Sequence, residues 1–557
     1  MNINEVQRRL WEQSHAHKQH RESGTPLFPT NPYDGRVRNL MDLMHNPTWI
    51  AAACDRVLKR SDGKASGVDK VRVHDFKKSR EYRLEQLRLE LKRGTYRPLP
   101  LRRVEIPKAN GKMRQLGIPC LRDKIVQEAM RMALEPIFEV EFHDSSYGFR
   151  PNRSAHHAVY RCKQMAHNGY TWVIEGDVKA CFDEISHKAI LRCVREKVMD
   201  NKFLGLIHRL LKAGFQADGV VHPTNKGVPQ GGVVSPLLAN AVLNKLDWFL
   251  HSKGFHGKER TRRWYHGSPN IRFARYADDW CVFCTRCDRR YAERIQDEIR
   301  NFLRENCGLE LSVEKTRITH VRNGYDFLGF NISTNVGKAG TIVPKIKVGR
   351  KAFTNIRSRL SEALRYRPMQ ESIVARLARG SSVIRGWSNY FKIAHNFSQV
   401  AHRLDYDVFW ITVKAICRKQ DISTAQCLRK YAIHKTIGVH EKCTLARFQD
   451  TASTHYCPSP EPYKPGSHQS YLEDDEWEVA FAIPERSRPN RGDLKWKALV
   501  RDGFQCRGCA VAVTAKTSHA DHIEPVNRFA NVAMANNLDN IQTLCLRCHK
   551  LKTARDK

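Results

Sequence analysis

Ile271-Arg272-Phe273-Ala274-Arg275-Tyr276-Ala277-Asp278-Asp279-Trp280-Cys281-Val282-Phe283-Cys284 sets two adjacent carboxylates between short runs of aromatic and β-branched residues. Such runs read as strand, tight turn, strand, with the acids presented at the turn. Adjacent acids on a rigid hairpin repel each other unless a cation lies between them, and Mg²⁺ suits them because it takes carboxylate and phosphate oxygens. A solvated turn would also carry such a pair, so a second feature is needed. It lies about a hundred residues upstream, where Val173-Ile174-Glu175-Gly176-Asp177-Val178 is another apolar run ending at an acid, followed by Cys181-Phe182-Asp183. A strand end carrying Asp177 beside the hairpin would gather carboxylates around two metal ions, the requirement of in-line nucleotidyl transfer. Between the two, Gly227-Val228-Pro229-Gln230-Gly231-Gly232 is a glycine-rich turn before the helical pattern Pro236-Leu237-Leu238-Ala239-Asn240. It suits close approach of a base or phosphate.

The Asp177 segment, the Pro229-Gln230-Gly231 turn and the Tyr-Ala-Asp-Asp hairpin, in that order, resemble the palm of a reverse transcriptase. The resemblance implies that Asp177, Asp278 and Asp279 are catalytic and hold two Mg²⁺ ions. Leu101 to Pro119 alternates basic and apolar residues around Asn110-Gly111 and reads as a two-stranded hairpin with cations on one face. By the resemblance this is a fingers element, with Lys108 and Arg114 as triphosphate ligands and Lys112 a third choice. Gln115 stands where most similar intron-encoded enzymes have proline. Gln230 would meet substrate, and Phe182, five places after Asp177, would crowd the sugar 2′ position and favour deoxynucleotides; a core phenylalanine is the other reading. Downstream, Glu314-Lys315-Thr316 and Phe327-Leu328-Gly329-Phe330 match the last palm elements. Lys315 would protonate the pyrophosphate leaving group, and the apolar turn would grip the primer.

Ninety-five Lys and Arg against fifty-eight Asp and Glu give 557 residues a formal charge of +37, which implies a polyanionic partner, nucleic acid first. A membrane partner is not expected, since no apolar run approaches the ~20 residues of a spanning helix. Nor does the start show a secretory core. Seventeen cysteines then read as reduced thiols and metal ligands, and a bacterial cytoplasmic location is expected. Cys281, Cys284 and Cys287 have tempting CxxCxxC spacing, but on a strand residues three apart point to opposite faces, which argues for core thiols.

Residues 1–39 read as a polar extension of uncertain order, 40–60 as helix, 83–93 as helix ending near Gly94, and 121–136 as helix ending near Pro136. Ser146 to Ser154 reads as a loop entering a helix, and resembles a stretch of group II intron reverse transcriptases. From 345 to about 440 the periodicity is helical and strongly basic, suiting a thumb that tracks a duplex backbone. Ile384-Arg385-Gly386-Trp387-Ser388-Asn389-Tyr390-Phe391 resembles the maturase segment of group II intron proteins. Trp387, Tyr390 and Phe391 are candidates for stacking on RNA, or for the core of a helical bundle. Residues 455–492 are proline-rich and locally acidic, and read as a linker.

The last sixty-odd residues hold Cys506-Arg507-Gly508-Cys509 and Cys545-Leu546-Arg547-Cys548, paired knuckles that signal a structural Zn²⁺. Asp521-His522 and Asn540 lie between them, and His549 follows. This set resembles the ββα-metal fold of HNH nucleases. By position, His522 would be the general base, Asp521 and His549 would bind one divalent ion, and Asn540 would orient the loop or His522; His549 is otherwise a neighbour of the knuckle.

The fold class expected is therefore α+β multidomain: a right-hand polymerase with fingers, palm and helical thumb, followed by a small ββα-metal zinc domain. Its parts would be 1–39 extension, 40–340 fingers and palm, 341–440 thumb and maturase domain X, 441–492 DNA-binding region and linker, and 493–557 HNH domain. The combination is similar to group II intron-encoded proteins. It implies intron RNA, target DNA and deoxynucleoside triphosphates as partners, and reverse transcription, assisted splicing and DNA nicking as activities. Two alternatives are a reverse transcriptase of a diversity-generating or defence system, and a splicing maturase whose palm is only a scaffold.

Overall fold

The computed structural model describes residues 1–23, 36–60, 65–107, 113–337, 341–365, 370–440, 443–454, 457–465, 498, 501–502, 505–511, 513, 517–524 and 538–555. They fall into two compact units, 1–474 and 475–557.

Two four-stranded sheets frame the fingers and palm of the first unit. The fingers sheet has strand order β2-β1-β4-β5, from β1 (Leu101–Pro107), β2 (Met113–Ile118), β4 (Phe215–Ala217) and β5 (Val220–His222). The palm sheet has order β6-β7-β3-β8, from β3 (Trp172–Asp177), β6 (Asn270–Tyr276), β7 (Asp279–Thr285) and β8 (Arg317–His320). Side chains alternate across a strand, so the palm sheet divides two cores: Ile174, Val282 and Cys284 join one, Val173, Cys281 and Phe283 the other. Cys281 and Cys284 thus lie on opposite faces as buried free thiols.

Several helices differ from the sequence reading. The segment 40–60 is two helices, Leu40–Met44 and Pro47–Arg60, because proline is at home in a first turn and poor inside a helix. The helix expected to stop near Pro136 runs from Leu121 to Glu139 with Pro136 inside it. Proline has no N–H to give the carbonyl four residues back, here that of Met132. The side chain of Gln7 donates to Met132 O at 2.8 Å instead. Gln7 belongs to a helix, Ile3–Ser23, in the stretch read as an extension of uncertain order. Its sequence looks polar because, among its described side chains, it buries only Gln7, Leu10 and Ser14. Gln7→Leu would leave a buried carbonyl unmet, at a cost of about 1–3 kcal/mol. The expected result is earlier thermal unfolding and faster amide exchange along Leu121–Glu139; unchanged exchange would mean that another donor serves Met132.

A hairpin of β9 (Tyr325–Phe327), β10 (Phe330–Val336) and β11 (Ile342–Val348) joins palm to thumb. The helical reading from 345 is corrected at both ends, since 342–348 is strand and residues beyond 431 form a small three-stranded sheet. Between them run helices Arg350–Leu364, Ile373–Phe391, Phe397–Gln420 and Thr424–Tyr431. The proposed stacking aromatics are this joint's packing: Phe391 is buried, its ring centroid 4.9 Å from Phe330 and 4.5 Å from Trp387. Tyr390 Oη donates to Leu328 O at 2.9 Å. Part of the expected linker also docks, with Cys457 buried and Asn152 Nδ2 donating to Pro462 O at 3.2 Å.

In the second unit, strands Ser518–His522 and Ile541–Cys545 pair antiparallel and helix Leu546–Arg555 follows. The order is ββα. No helix among the described residues is long and apolar enough to cross a membrane.

Candidate active sites

The palm site follows from strand register. Asp177 ends β3 and pairs with Asp279, while Tyr276 pairs with Asp279 from the other side. Ala277 and Asp278 are therefore a two-residue turn, with Ala277 left-handed at φ 58°. This brings Asp177, Asp278 and Asp279 together at one end of the palm sheet. The Asp279 side chain opens to solvent, yet its carboxyl is raised to about 7, first by its recessed surroundings and then by the charges of Asp278 and Asp177. Lys315 opposes this: its Nζ lies 2.6 Å from Asp177 Oδ2. The cavity beside them, about 410 Å³, is lined by Asp177, Asp279, Lys315, Leu328 and Lys351. Leu328 and Gly329 form another left-handed turn, with φ 49° and 81°, on the cavity wall.

One residue that holds this site was not singled out in the sequence. Arg275 is 1% exposed and forms two bonds to Asp247, Nε–Oδ1 at 2.7 Å and the second to Oδ2 at 2.6 Å. Its remaining nitrogen donates to Ala277 O at 2.9 Å and to Asn240 Oδ1 at 2.8 Å. Asn240 in turn donates to Gly148 O at 2.8 Å. A Cβ on Gly148 would stand 2.4 Å from Ala277 N, so the Ser146–Ser154 loop backs the Ala277-Asp278 turn at glycine distance. Buried planar guanidinium with a bidentate carboxylate is a rigid brace. The signal was present as an Arg before the acids, but its partner lies 28 residues upstream on helix Ser235–Lys253.

Gln230 Nε2 donates to Asp183 Oδ2 at 2.9 Å, and Gly117 N to Gln230 O at 2.8 Å, so the glycine-rich turn ties the fingers to the palm. Gly231, at φ 109°, has no room for a Cβ, which would meet Gly117 O at 2.4 Å. Phe182 is half-buried against the core, and its carbonyl accepts from Val228 N at 2.6 Å. Lys108 and Lys112 lie outside the described residues. Arg114 sits in β2 opposite Ile106.

In the second unit the sulfurs of Cys506, Cys509, Cys545 and Cys548 all lie within 4.8 Å of one another. Burial opposes ionisation of Cys506, but N–H groups of Cys545, Gly508 and Cys509 bring its thiol down to about 6. Four thiols, one already favoured as thiolate, make a soft tetrahedral donor set of the zinc type. Nearby, His549 Nε2 stands 3.7 Å from Asp521 Oδ1, and Asn540 bonds both the N–H and C=O of Glu524, at 2.8 and 3.2 Å. Asn540 thus clasps the loop after His522. Two residues not expected join them: Lys552 Nζ reaches Asp521 Oδ2 at 3.1 Å and His522 O at 2.8 Å, and His519 stacks on His549 at 4.7 Å.

Comparison with known proteins agrees with these three parts. Residues 106–332 match the family model for reverse transcriptase (RNA-dependent DNA polymerase), 353–432 that for the group II intron maturase-specific domain, and 506–555 that for HNH endonuclease. Protein YkfC of Escherichia coli is 41% identical over 318 residues, 53% of this chain and 83% of that protein. The group II intron-encoded protein LtrA of Lactococcus lactis is 31% identical over 440 residues, 66% of this chain and 69% of that protein. Among solved structures, a Candida albicans telomerase aligns over 62% of this chain and 64% of its own at 13% identity, with a TM-score of 0.34, too low to add weight. With its polymerase palm, maturase thumb and ββα unit in that order, the chain belongs to the group II intron-encoded proteins, enzymes that combine RNA-directed DNA polymerase and HNH endonuclease domains with a maturase.

Proposed function

We propose that Asp177, Asp278 and Asp279 hold Mg²⁺ and that the palm copies intron RNA from a 3′ end freed in target DNA. The observation that carries this is the convergence of three carboxylates at one sheet end, where recessed surroundings first, and then the charges of Asp278 and Asp177, raise Asp279 to about 7. Such an oxygen-only donor set fits a hard divalent cation, which when bound would neutralise charge on the attacking and leaving oxygens. The primer 3′ oxygen would bond the α-phosphorus of a deoxynucleoside triphosphate as the bond to pyrophosphate breaks. Lys315, which lines that cavity, would give the pyrophosphate its proton, and Leu328 would hold the primer. Lys108 and Arg114 would meet the triphosphate, with Gln230 and Phe182 bounding the nucleotide.

In the second unit His522 would deprotonate water, with Asp521 and His549 holding one divalent ion and Asn540 fixing the loop, to nick the opposite DNA strand. The four cysteines would hold Zn²⁺ and with it the fold. Free thiols throughout suit the reducing cytoplasm of a bacterium.

The test is primer extension on an RNA template with Mg²⁺, wild type against Asp278→Ala. Extension lost only in the variant supports the reading. Inactivity of both, with intron splicing still promoted, would replace it with a maturase whose palm is a scaffold. For the zinc, Cys548→Ser should abolish bound Zn²⁺ and make 475–557 protease-sensitive, while extension continues; full Zn²⁺ content in that variant would refute the four-cysteine site.

A further inference from the structure

At the far end of the palm sheet from the acids lies a second pocket of about 560 Å³, lined by Arg161, Arg260, Arg272, Tyr170 and Tyr265 among others and by no carboxylate. Arg272 is four residues before Tyr276 on β6, about 13 Å at ~3.3 Å per residue, and Tyr170 is seven before Asp177. The pocket therefore stands outside the polymerase cleft.

Three guanidinium groups line it, and no carboxylate is among its described lining residues. Arg272 is anchored by carbonyls, donating to Ile271 O at 2.8 Å and to Phe255 O. Its guanidinium is pushed below its ordinary range, first by burial and further by Arg260 and Arg161, with only Tyr170 opposing. Arg161 Nε is buried with no hydrogen-bond partner among the described residues. Neither Arg161 nor Arg260 has an ion pair among them, whereas neighbouring Arg262 is held by Glu259 at 3.3 Å. Cations without a carboxylate beside a buried unmet donor are a setting that a bound anion would complete.

Beside these cations, Tyr265 ends helix Gly257–Tyr265 with 81% of its surface in solvent. An exposed ring next to a cationic pocket is how unpaired bases and their backbone are held together, the base stacked and the phosphate on arginine. The volume is within the ~300–1,000 Å³ of sites that take one small-molecule unit.

We propose that this pocket is a docking site for one nucleotide of an unpaired polynucleotide strand, its phosphate among Arg161, Arg260 and Arg272 and its base on Tyr265. The proposal deepens the intron RNA reading by adding a contact separate from the cleft. Intron RNA and the displaced strand of target DNA present the same chemistry.

The experiment uses the full chain with saturating primer–template duplex, so that the cleft is filled, and a 12-nucleotide oligo(rU) carrying one 4-thiouridine, or oligo(dT) carrying one 4-thiothymidine. After irradiation the expected result is a crosslink in the peptide 257–272, reduced about tenfold by Arg161→Gln with Arg260→Gln and by Tyr265→Ala. Losing two phosphate contacts should also lower the salt slope of oligonucleotide binding by about 1–2. Primer extension should be unchanged in these variants, so that failure of this site and failure of the palm reading are told apart. The ratio of rU to dT crosslinking tells which strand occupies the pocket. No crosslink in 257–272, a crosslink indifferent to the variants, or equal competition by a base-paired RNA duplex would overturn the proposal.

Discussion

Asp279→Asn should abolish primer extension while raising the melting temperature of the metal-free protein at neutral pH. If Asp279 helps to hold the proposed Mg²⁺, its loss would remove several kcal/mol of transition-state stabilisation, on the order of 10³-fold in rate. The stability gain comes from the recessed setting and the neighbouring charges that raise this carboxyl. A carboxyl raised from 3.8 to about 7 holds its proton in the folded state after the unfolded chain has released it. The stabilisation from that bound proton is complete below pH ~4 and is lost as pH rises to about 7. Melting in chelator should therefore fall across that window in the parent and fall less in Asp279→Asn. Saturating Mg²⁺ should stabilise only the parent. Equal pH slopes in parent and variant would show that Asp279 does not feel its neighbours.

Breaking the brace should be the most costly change to stability in the palm. Asp247→Ala leaves the Arg275 guanidinium buried and largely unpaired, which costs about 3–5 kcal/mol. A double change, Arg275→Met with Asp247→Leu, removes both charges and should recover much of that stability. It should not recover activity, because the Ala277 carbonyl would still lack the donor now 2.9 Å away, and the left-handed turn would lose its anchor. The readout is the split between melting temperature and extension rate across the parent, Asp247→Ala and the double variant. Recovery of both together would reduce the brace to a structural ion pair.

The candidate site residues were legible because their spacing is local. Tyr276 to Asp279 specify a hairpin, and paired CxxC knuckles specify a thiolate cluster, whatever the rest of the chain does. Strand periodicity even placed Cys281 and Cys284 on opposite faces. The supports were not legible, since each depends on a distant partner: Arg275 on Asp247, Lys552 on Asp521, Tyr390 on the Leu328 carbonyl. Pro136 misled for the same reason, because a proline ends a helix only when nothing else satisfies the carbonyl behind it. Trp387, Tyr390 and Phe391 could be read either way from composition; the presence of Phe330, Phe397 and Phe448 around them makes them a joint.

The bond from Gln7 to Met132 also has a consequence during synthesis. The two residues are 125 positions apart. At the usual ~5–20 residues per second, the helix that carries Gln7 leaves the ribosome roughly 6–25 s before the carbonyl it must meet. Over that interval Leu10 and its neighbours have no surface to cover them, so the fingers cannot close from the amino end inward. They close when the Pro136 turn emerges.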